Sequence, residues 1–300
     1  MNKKALTLTV IANMTSNYSE GLGNIASVQK VFKNGKVYTM RSRESLKNAI
    51  MVQSGMYDDL KTEVDKKTTQ KMVNKELNAS NCRALEGGYM NTLEVTNIRK
   101  SSFYLTDAIA CDRFVNETRF HNNLYLATNV AKSKGINIEA NLKDSGLMPY
   151  QYEYDKSLKI YSITIDLEMI GKDENFEHEE NYREASSEEK ADRVNSLLNA
   201  IENLSLTVKG NLDNAEPVFI VGGLSDRKTH YFENVVKVEE GKLILSEDLQ
   251  DKIKKGFYVG LLEGRTLRNE SEVKEKLAPI SISKFFDNVR NEVNVYFGVE

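Results

Sequence analysis

The stretch LTLTVIANM, residues 6–14, places Leu6, Leu8 and Val10 two residues apart with threonine between them. Side chains two residues apart lie on the same face of a β-strand, so this pattern predicts a strand with one strongly buried face. The preceding MNKK is polar and basic, as at the start of a signal peptide. The alternating threonines and Asn13 do not fit the apolar centre of a signal peptide, and a first strand is therefore predicted.

Further elements are predicted from the same kinds of pattern. Asn34-Gly35 lies between two strand-forming runs and predicts a hairpin, because both positions tolerate positive φ. Ser42 is placed to cap a helix over residues 43–52. Periodicity further along the chain predicts strands over 101–105, 158–170, 217–221 (ending in Gly222-Gly223) and 258–262, and helices from residue 187 and over 282–297.

Two segments interrupt this series. Residues 55–100 are predicted to be helical at first and irregular around Gly87-Gly88, and residues 116–156 lack a clean period and predict an extended, loop-rich insertion. Without them the order is strand, helix, strand, strand, helix, strand, which is the order of the ferredoxin-like (RRM-like) fold. An α+β chain of this class is predicted, and the fold alone says nothing about function.

The composition is that of an ordinary globular protein of 300 residues, with 40% hydrophobic and 28% charged residues. This length suits one large domain, or one domain with insertions. No run approaches the roughly 18 apolar residues of a membrane span, so no membrane association is expected. Two cysteines, Cys82 and Cys111, provide neither a disulfide framework nor a four-ligand zinc site. Together with the lack of an export signal, they predict a cytoplasmic location.

The charges are unevenly distributed, although the net charge is only −3. Residues 1–50 contain eight Lys or Arg and two Glu, whereas residues 151–200 contain six basic and thirteen acidic residues. Within the acidic part, residues 172–186 are predicted to form a solvated loop. This segregation fits a chain that binds a polyanion with one face, or one that stacks head to tail on its own copies. Solvated faces that merely differ in sign explain the charges equally well.

Signatures of catalysis are missing. The three histidines, His121, His178 and His230, have no metal-binding or catalytic spacing, and there is no phosphate-binding loop, G-x-S-x-G or C-x-x-C motif. Asp166 and Glu168 share one face of a predicted strand, where they could bind a metal or simply face solvent. We therefore predict no enzymatic activity, no metal and no cofactor.

The chemistry of RNA backbone binding is better represented. The loop over residues 16–24 offers amide and hydroxyl donors, one aromatic ring and two glycines. The helix start RSRESLK, residues 41–47, combines free N–H groups with Arg43 and Lys47 one turn apart, which suits a phosphate. A capped helix with ordinary surface cations is the alternative interpretation.

Six blocks of the chain resemble a known family when they are taken together and in order. They are LTLTVIANMTSNYSEGLGNIASVQKV (6–31), YTMRSRESLKNAI (38–50), RKSSFYLTDAIAC (99–111), YSITIDLEMIGK (161–172), EEKADRVNSLLNAIENL (188–204) and EPVFIVGGL (216–224). The set resembles the backbone subunit of type I CRISPR Cascade, in the DevR branch (Cas-seven/Cst-two/DevR) of type I-B systems. The chain departs from the family pattern at Glu44, where glutamine is frequent, and beyond residue 225.

The resemblance implies a ferredoxin-like palm over 1–53, 101–115 and 157–300, a finger insertion over 54–100 and a thumb insertion over 116–156. It also implies a non-catalytic role: several copies form a helical filament along the CRISPR RNA, and each thumb kinks the guide. The implied partners are the CRISPR RNA, further copies of the chain, other Cascade subunits and, through the guide, target DNA.

The resemblance further implies which residues meet the RNA. The wedge at the kinked nucleotide would be Leu147 and Met148 in the thumb. The RNA-binding positions would be Asn17, Tyr18, Lys30, Arg41, Ser42, Arg43, Ser45, Lys47, Gly222 and Gly223. Two alternatives stay open: a metal-dependent or metal-independent CRISPR endoribonuclease that uses His121 or His230, and a DNA-binding regulator.

Overall fold

The strand predicted from residues 6–14 is present and lies inside the main sheet. The computed structural model describes residues 3–19, 25–65, 67–92, 95–140 and 142–299. Its strands are β1 Ala5–Thr15, β2 Ile25–Ala26, β3 Lys30–Lys33, β4 Lys36–Arg41, β5 Thr62–Asp65, β6 Thr68–Lys71, β7 Tyr89–Asn91, β8 Asn97–Arg99, β9 Phe103–Leu105, β10 Ala108–Ala110, β11 Thr118–His121, β12 Tyr150–Glu153, β13 Lys156–Asp166, β14 Ser205–Val208, β15 Asn211–Asn214, β16 Pro217–Ser225, β17 Val238–Glu239, β18 Lys242–Leu243 and β19 Tyr258–Leu261.

The helices complete a mixed α+β fold, as predicted. A 3-10 helix covers Arg83–Gly87. The α-helices are α1 Arg43–Gln53, α2 Leu124–Lys134, α3 Leu142–Ser145, α4 Ser187–Glu202, α5 Glu247–Ile253, α6 Glu270–Leu277 and α7 Ile282–Phe297. Among the described residues, no helix is both long enough and apolar enough to cross a membrane.

The main sheet is antiparallel and has the order β19-β16-β1-β13-β10-β4-β3, and β9 also pairs with β13. β1 pairs with β13 over its full length, from Ala5 opposite Asp166 to Thr15 opposite Lys156. The hairpin predicted at Asn34-Gly35 joins β3 to β4, with φ of 51° and 73°. Both strand neighbours of β1 come from the second half of the chain.

Both faces of the sheet are covered at β1, which differs from the single buried face predicted for this strand. Helices α1, α4 and α7 pack on one face, against Leu6, Leu8 and Val10. Apolar residues from the segment 226–278 pack on part of the other face. The β1 threonines are therefore buried, and they bond inside the protein: the Thr9 and Ser162 hydroxyl oxygens are 2.7 Å apart.

Coverage of the second face also corrects two expectations for the neighbouring strands. β16 continues through Gly222-Gly223 to Ser225 and does not end at the glycines. Asp166 is buried at the end of β13, and Glu168 lies in the turn that follows. Neither belongs to a solvated strand face, and both carboxylates bond to the Lys228 ammonium, at 2.8 and 2.9 Å.

The segment between α1 and β9 is not helical at its start, so that prediction was wrong. α1 ends at Ser54, and Gly55 takes a φ of 69°. Turns, two short hairpins (β5–β6 and β7–β8) and the 3-10 helix follow. Side chains stabilise this irregular backbone directly: the Asp59 carboxylate, for example, accepts from the N–H groups of Arg83 and Ala84.

The segment 116–156 is also more regular than predicted. It contains α2, α3 and the strands β11 and β12, and β12 pairs in parallel with β2 from the loop after β1. The sequence pattern did not predict α2, because its large apolar residues Leu124, Tyr125 and Leu126 are consecutive and all exposed. The helix therefore lacks the single apolar stripe by which a packed helix is recognised.

The lobe 54–100 is joined to α4 and to the segment after β13 by a buried ionic cluster. Glu86 is fully buried and lies between two buried guanidinium groups, Arg99 at 3.0 Å and Arg193 of α4 at 2.8 Å. The Gly171 N–H donates to the same carboxylate at 2.7 Å. The acidic segment 172–186 is a loop whose side chains are mostly exposed, as predicted, but Asp173 is fully buried and accepts from the Ala79 N–H.

Candidate nucleic-acid interface

The N-terminus of α1 lies next to the end of β1, and it brings several of the predicted residues together. The Ser42 hydroxyl caps the helix by accepting from the Ser45 N–H. The Ser42 N–H donates to the Asn17 side chain at 2.8 Å, and the Arg43 N–H donates to the Asp107 carboxylate at 2.8 Å. The N–H groups of Ser42, Arg43 and Ser45 therefore already have partners, so a phosphate here would be bound through side chains.

Arg41 lies under this helix start. It is 4% exposed, and its guanidinium donates to the Thr15 carbonyl at 3.0 Å and to the Ser45 hydroxyl at 2.9 Å. Burial lowers the pKa of Arg41 to about 10. The side chain holds the end of β1 against α1 and is directed away from solvent.

A second buried cation beneath the site, Lys159, was missed by the sequence analysis. Its ammonium is fully buried, bonds to the Asp155 carboxylate at 2.6 Å and donates to the Met14 carbonyl at 2.9 Å. Burial lowers the pKa of Lys159. The available signal was its position two residues before Tyr161, on the same face of the predicted strand. Lysine is rarely buried at such positions.

Arg43 is the predicted cation that projects outward at the helix start. Its side chain is 65% exposed and pairs with Glu44 at 2.7 Å. The exposed Lys33 and Lys36 flank the nearby β3–β4 turn. An exposed pair such as Arg43–Glu44 contributes little to stability, so Arg43 is available to exchange its carboxylate for a phosphate.

Lys47 points into the protein. Its ammonium donates to the Gly87 carbonyl at 2.9 Å and to the Ser101 hydroxyl at 2.8 Å, and it lies 4.7 Å from the Phe103 ring. Lys71 bonds to the adjacent Gly88 carbonyl at 2.9 Å. Burial, reinforced by the neighbouring Lys71, lowers the pKa of Lys47 to about 8. Lys47 thus anchors the lobe 54–100 to α1.

This burial predicts a pH dependence of stability. The Lys47 ammonium of the unfolded chain keeps its proton up to about pH 10.5, whereas that of the folded chain loses it near pH 8. Between these values the unfolded state binds more protons, so the contribution of Lys47 to the free energy of unfolding rises with pH. Urea unfolding across this range is expected to show wild type gaining stability relative to Lys47→Met. If the stabilities of the two proteins change with pH in parallel, the pKa of Lys47 is not lowered in the folded state.

Tyr18 and Lys30 meet at the base of the segment 116–156. The Tyr18 hydroxyl donates to the Glu153 carbonyl at 2.8 Å, and the Lys30 ammonium pairs with the Glu153 carboxylate at 2.5 Å. Burial raises the pKa of Tyr18 to about 12. Both residues attach this segment to the sheet next to the α1 N-terminus. Residues 20–24 of the same loop lie outside the described residues.

The two positions proposed as a wedge lie in the connection between α3 and β12. Met148 is 54% exposed and Leu147 is half-buried. The Met148 N–H donates to the Asn123 side chain at 2.7 Å. Met148 is thus the more accessible of the two.

Gly222 and Gly223 are not part of this cluster. They lie opposite Leu8 and Thr7, towards the start of β1, whereas the α1 N-terminus adjoins its end at Thr15. A Cβ atom on Gly222 would be 2.0 Å from the Thr7 carbonyl oxygen. The close approach of two strands therefore explains a glycine at this position.

A cavity of about 980 Å³ lies between the open part of the main sheet and the segment 230–239. Arg43, Tyr38, Ile109, Ile160 and His230 contribute to its walls. The His230 ring bonds to the Thr164 hydroxyl at 2.9 Å, and burial lowers the pKa of this histidine.

His121 lies elsewhere, on β11. Among the described residues, no group of three or more His, Cys, Asp or Glu could hold a metal ion.

Comparison with known proteins gives two kinds of similarity. A family model described as CRISPR-associated negative auto-regulator DevR/Csa2 matches residues 6–242. A chain of a solved CRISPR RNA-guided surveillance complex, pre-nicking, is similar with a TM-score of 0.63 and 10% identity, over 96% of this chain and 100% of that chain. A chain of another CRISPR RNA-guided surveillance complex has a TM-score of 0.55 and 14% identity, over 95% and 99%. No curated sequence matches significantly.

Proposed function

Because the chain belongs to the CRISPR-associated DevR family, we propose that it is a non-catalytic subunit that binds CRISPR RNA in a surveillance complex. The observation that carries the proposal is the end-to-end likeness to a chain of such a complex, which covers 96% of this chain and all of that one. Several copies would line up head to tail along the guide as the backbone of a type I-B Cascade. The guide would then pair with target DNA in antiviral defence, in the cytoplasm, alongside other Cascade subunits.

The proposed domains are a ferredoxin-like palm (1–53, 101–115 and 157–300), a finger (54–100) and a thumb (116–156). The strand order of the main sheet supports this palm. Its strands β16, β1, β13 and β10 lie side by side as the fourth, first, third and second strands of the ferredoxin-like motif. The contacts of both insertions also support it, since Glu86 of the finger pairs with Arg193 on α4 and Glu153 of the thumb pairs with Lys30 on β3.

Guide binding is proposed to be electrostatic and tolerant of sequence, because phosphates carry the charge and no base identity. Arg43, together with the cations of the β3–β4 turn, would contact phosphates. Arg41, Asn17, Ser42 and Ser45 would act by fixing the position of the α1 N-terminus, because their polar groups already bond to one another or to the sheet.

Arg43→Ala is expected to weaken binding to every single-stranded RNA to a similar extent. Loss of one phosphate contact should also reduce the slope of log affinity against log salt by about 0.7. Lys47→Ala is expected to leave this slope unchanged, because its ammonium bonds to the Gly87 carbonyl. Fluorescence anisotropy across salt measures both, with Lys254→Ala as the control, since Lys254 is an exposed partner of Asp251 on α5. A reduced slope for Lys47→Ala, with no change for Arg43→Ala, would reverse the assignment.

The function itself is tested by titrating the protein into two unrelated single-stranded RNAs and one duplex DNA at several salt concentrations. Similar, steeply salt-dependent affinities for both RNAs and weak binding to the duplex are expected. Selective binding to a duplex would instead favour a regulator, a role that the family description itself contains. Cleavage of CRISPR precursor RNA, with or without EDTA, would favour the endoribonuclease and contradict the proposal.

A further inference from the structure

The small sheet formed by β11, β12 and β2 carries three aromatic rings on one face in nearly parallel planes. His121 and Tyr152 have centroids 4.9 Å apart and planes 9° apart, and His121 and Tyr150 are 5.5 Å and 17° apart. Tyr150 and Tyr152 are 6.5 Å and 20° apart. The register causes this alignment, because His121 lies opposite Tyr150, and Tyr152 follows two residues later on the same face.

Cations accompany these rings. Arg119, opposite Tyr152 on β11, places its guanidinium 3.4 Å from the centroid of the Tyr154 ring. Tyr18 packs edge-on against Tyr152 at 6.0 Å, and the Lys209 ammonium lies 5.1 Å from the Tyr18 ring. Arg119 also pairs with Glu117 at 3.4 Å. Aromatic rings with cations beside them are the groups by which surfaces bind single-stranded nucleic acid.

The accessibility of the three rings differs. Tyr152 is 7% exposed and is enclosed by its neighbours, whereas Tyr150 is 43% exposed. Tyr150 is therefore the one of the three rings with the most surface that another flat ring could contact, and the planes of its neighbours agree with its own within 20°. An unpaired base supplies such a ring. Paired bases of a duplex present no free ring face.

We propose that Tyr150 is a stacking platform for an unpaired base of single-stranded RNA. His121 and Tyr152 act as positioning residues that fix the plane of its ring. This inference rests on the proposed RNA-binding function and adds a base contact to it. It also shifts the expected base contact in this segment from Leu147 and Met148 to the aromatic ring that follows them.

The chain contains no tryptophan, so a single introduced one reports on its own position. Tyr150→Trp is expected to lose about half or more of its emission when saturated with single-stranded RNA, because a stacked base quenches the indole. The matched control is Tyr104→Trp on β9, whose native side chain is 44% exposed, and its emission is expected to stay constant. Unchanged emission from the Tyr150→Trp protein, while anisotropy shows RNA binding, would overturn the inference and leave the proposed function intact.

Affinity gives a second, independent readout. Tyr150→Ala is expected to weaken binding of single-stranded RNA about 5-fold to 100-fold, the usual effect of removing one stacked base contact. Tyr150→Phe should bind like wild type, and the salt dependence should be the same for all three proteins, because no phosphate contact is removed. Equal affinities for Tyr150→Ala and wild type would contradict stacking, as would quenching of the Tyr150→Trp protein by duplex DNA alone. Absence of RNA binding by wild type would overturn the proposed function and the stacking inference together.

Discussion

Replacing Glu86 by alanine is expected to lower the free energy of unfolding by about 3–5 kcal/mol, because it leaves two guanidinium groups buried with no carboxylate between them. Those groups belong to Arg99 and Arg193, both of which bond to Glu86 in the fully buried cluster. Equilibrium unfolding in urea, followed by circular dichroism, measures the change. The loss should be large relative to the roughly 5–15 kcal/mol that stabilises a typical domain.

The control for this prediction is Glu179→Ala. Glu179 pairs with Lys75 at the surface, where the two side chains are 37% and 71% exposed. An exposed pair contributes at most about 1 kcal/mol, so this variant should unfold almost like wild type. Similar losses for both variants would mean that the Glu86 cluster is solvated in solution and does not hold the lobe to α4.

Gly222→Ala is expected to cost about 3 kcal/mol or more, or to prevent folding, because the new methyl group would overlap backbone atoms that cannot move aside as a side chain can. The added Cβ would lie 2.0 Å from the Thr7 carbonyl oxygen and 2.9 Å from the Leu8 Cα atom. Both are backbone atoms of β1, so β1 and β16 would have to separate at the centre of the sheet. Urea unfolding of the soluble variant, or its recovery in the insoluble fraction, measures the effect.

Gly264→Ala is the matched control, since nothing lies within 4 Å of its added Cβ and its φ is not positive. It should be close to neutral. The comparison also tests the RNA contact that the family resemblance implies for Gly222. A Gly222→Ala protein that is as stable as the control but binds RNA poorly would support that contact and would contradict the packing explanation.

The parts of the fold that follow apolar periodicity were predictable from sequence. The alternation of Leu6, Leu8 and Val10 located β1, and helical spacing located α7 over its observed bounds. The lobe 54–100 was not predictable in this way, because side chains such as Asp59 stabilise its turns through bonds to the backbone. Spacing along the chain carries no information about such bonds.

For the candidate site, the sequence placed the residues on their elements but did not show which groups their side chains contact. The Ser42 N–H bonds to the Asn17 side chain at the α1 N-terminus, a contact between two elements that the sequence did not predict. The sequence did not show which lysine and arginine side chains point into the protein, because both residue types normally lie at the surface. Arg41 and Lys47 instead bond to backbone carbonyls inside the protein, and only the folded neighbourhood reveals this.

The position of β1 between β13 and β16 has a consequence during translation. The ribosome completes β1 at residue 15, but the chain reaches the end of β16 only at residue 225. At the usual synthesis rate of about 5–20 residues per second, the emerging β1 waits roughly 10–40 s for its second neighbour. Throughout that interval its leucines and valine have no complete sheet to enter. The nascent protein should therefore depend on chaperone shielding until β16 leaves the exit tunnel.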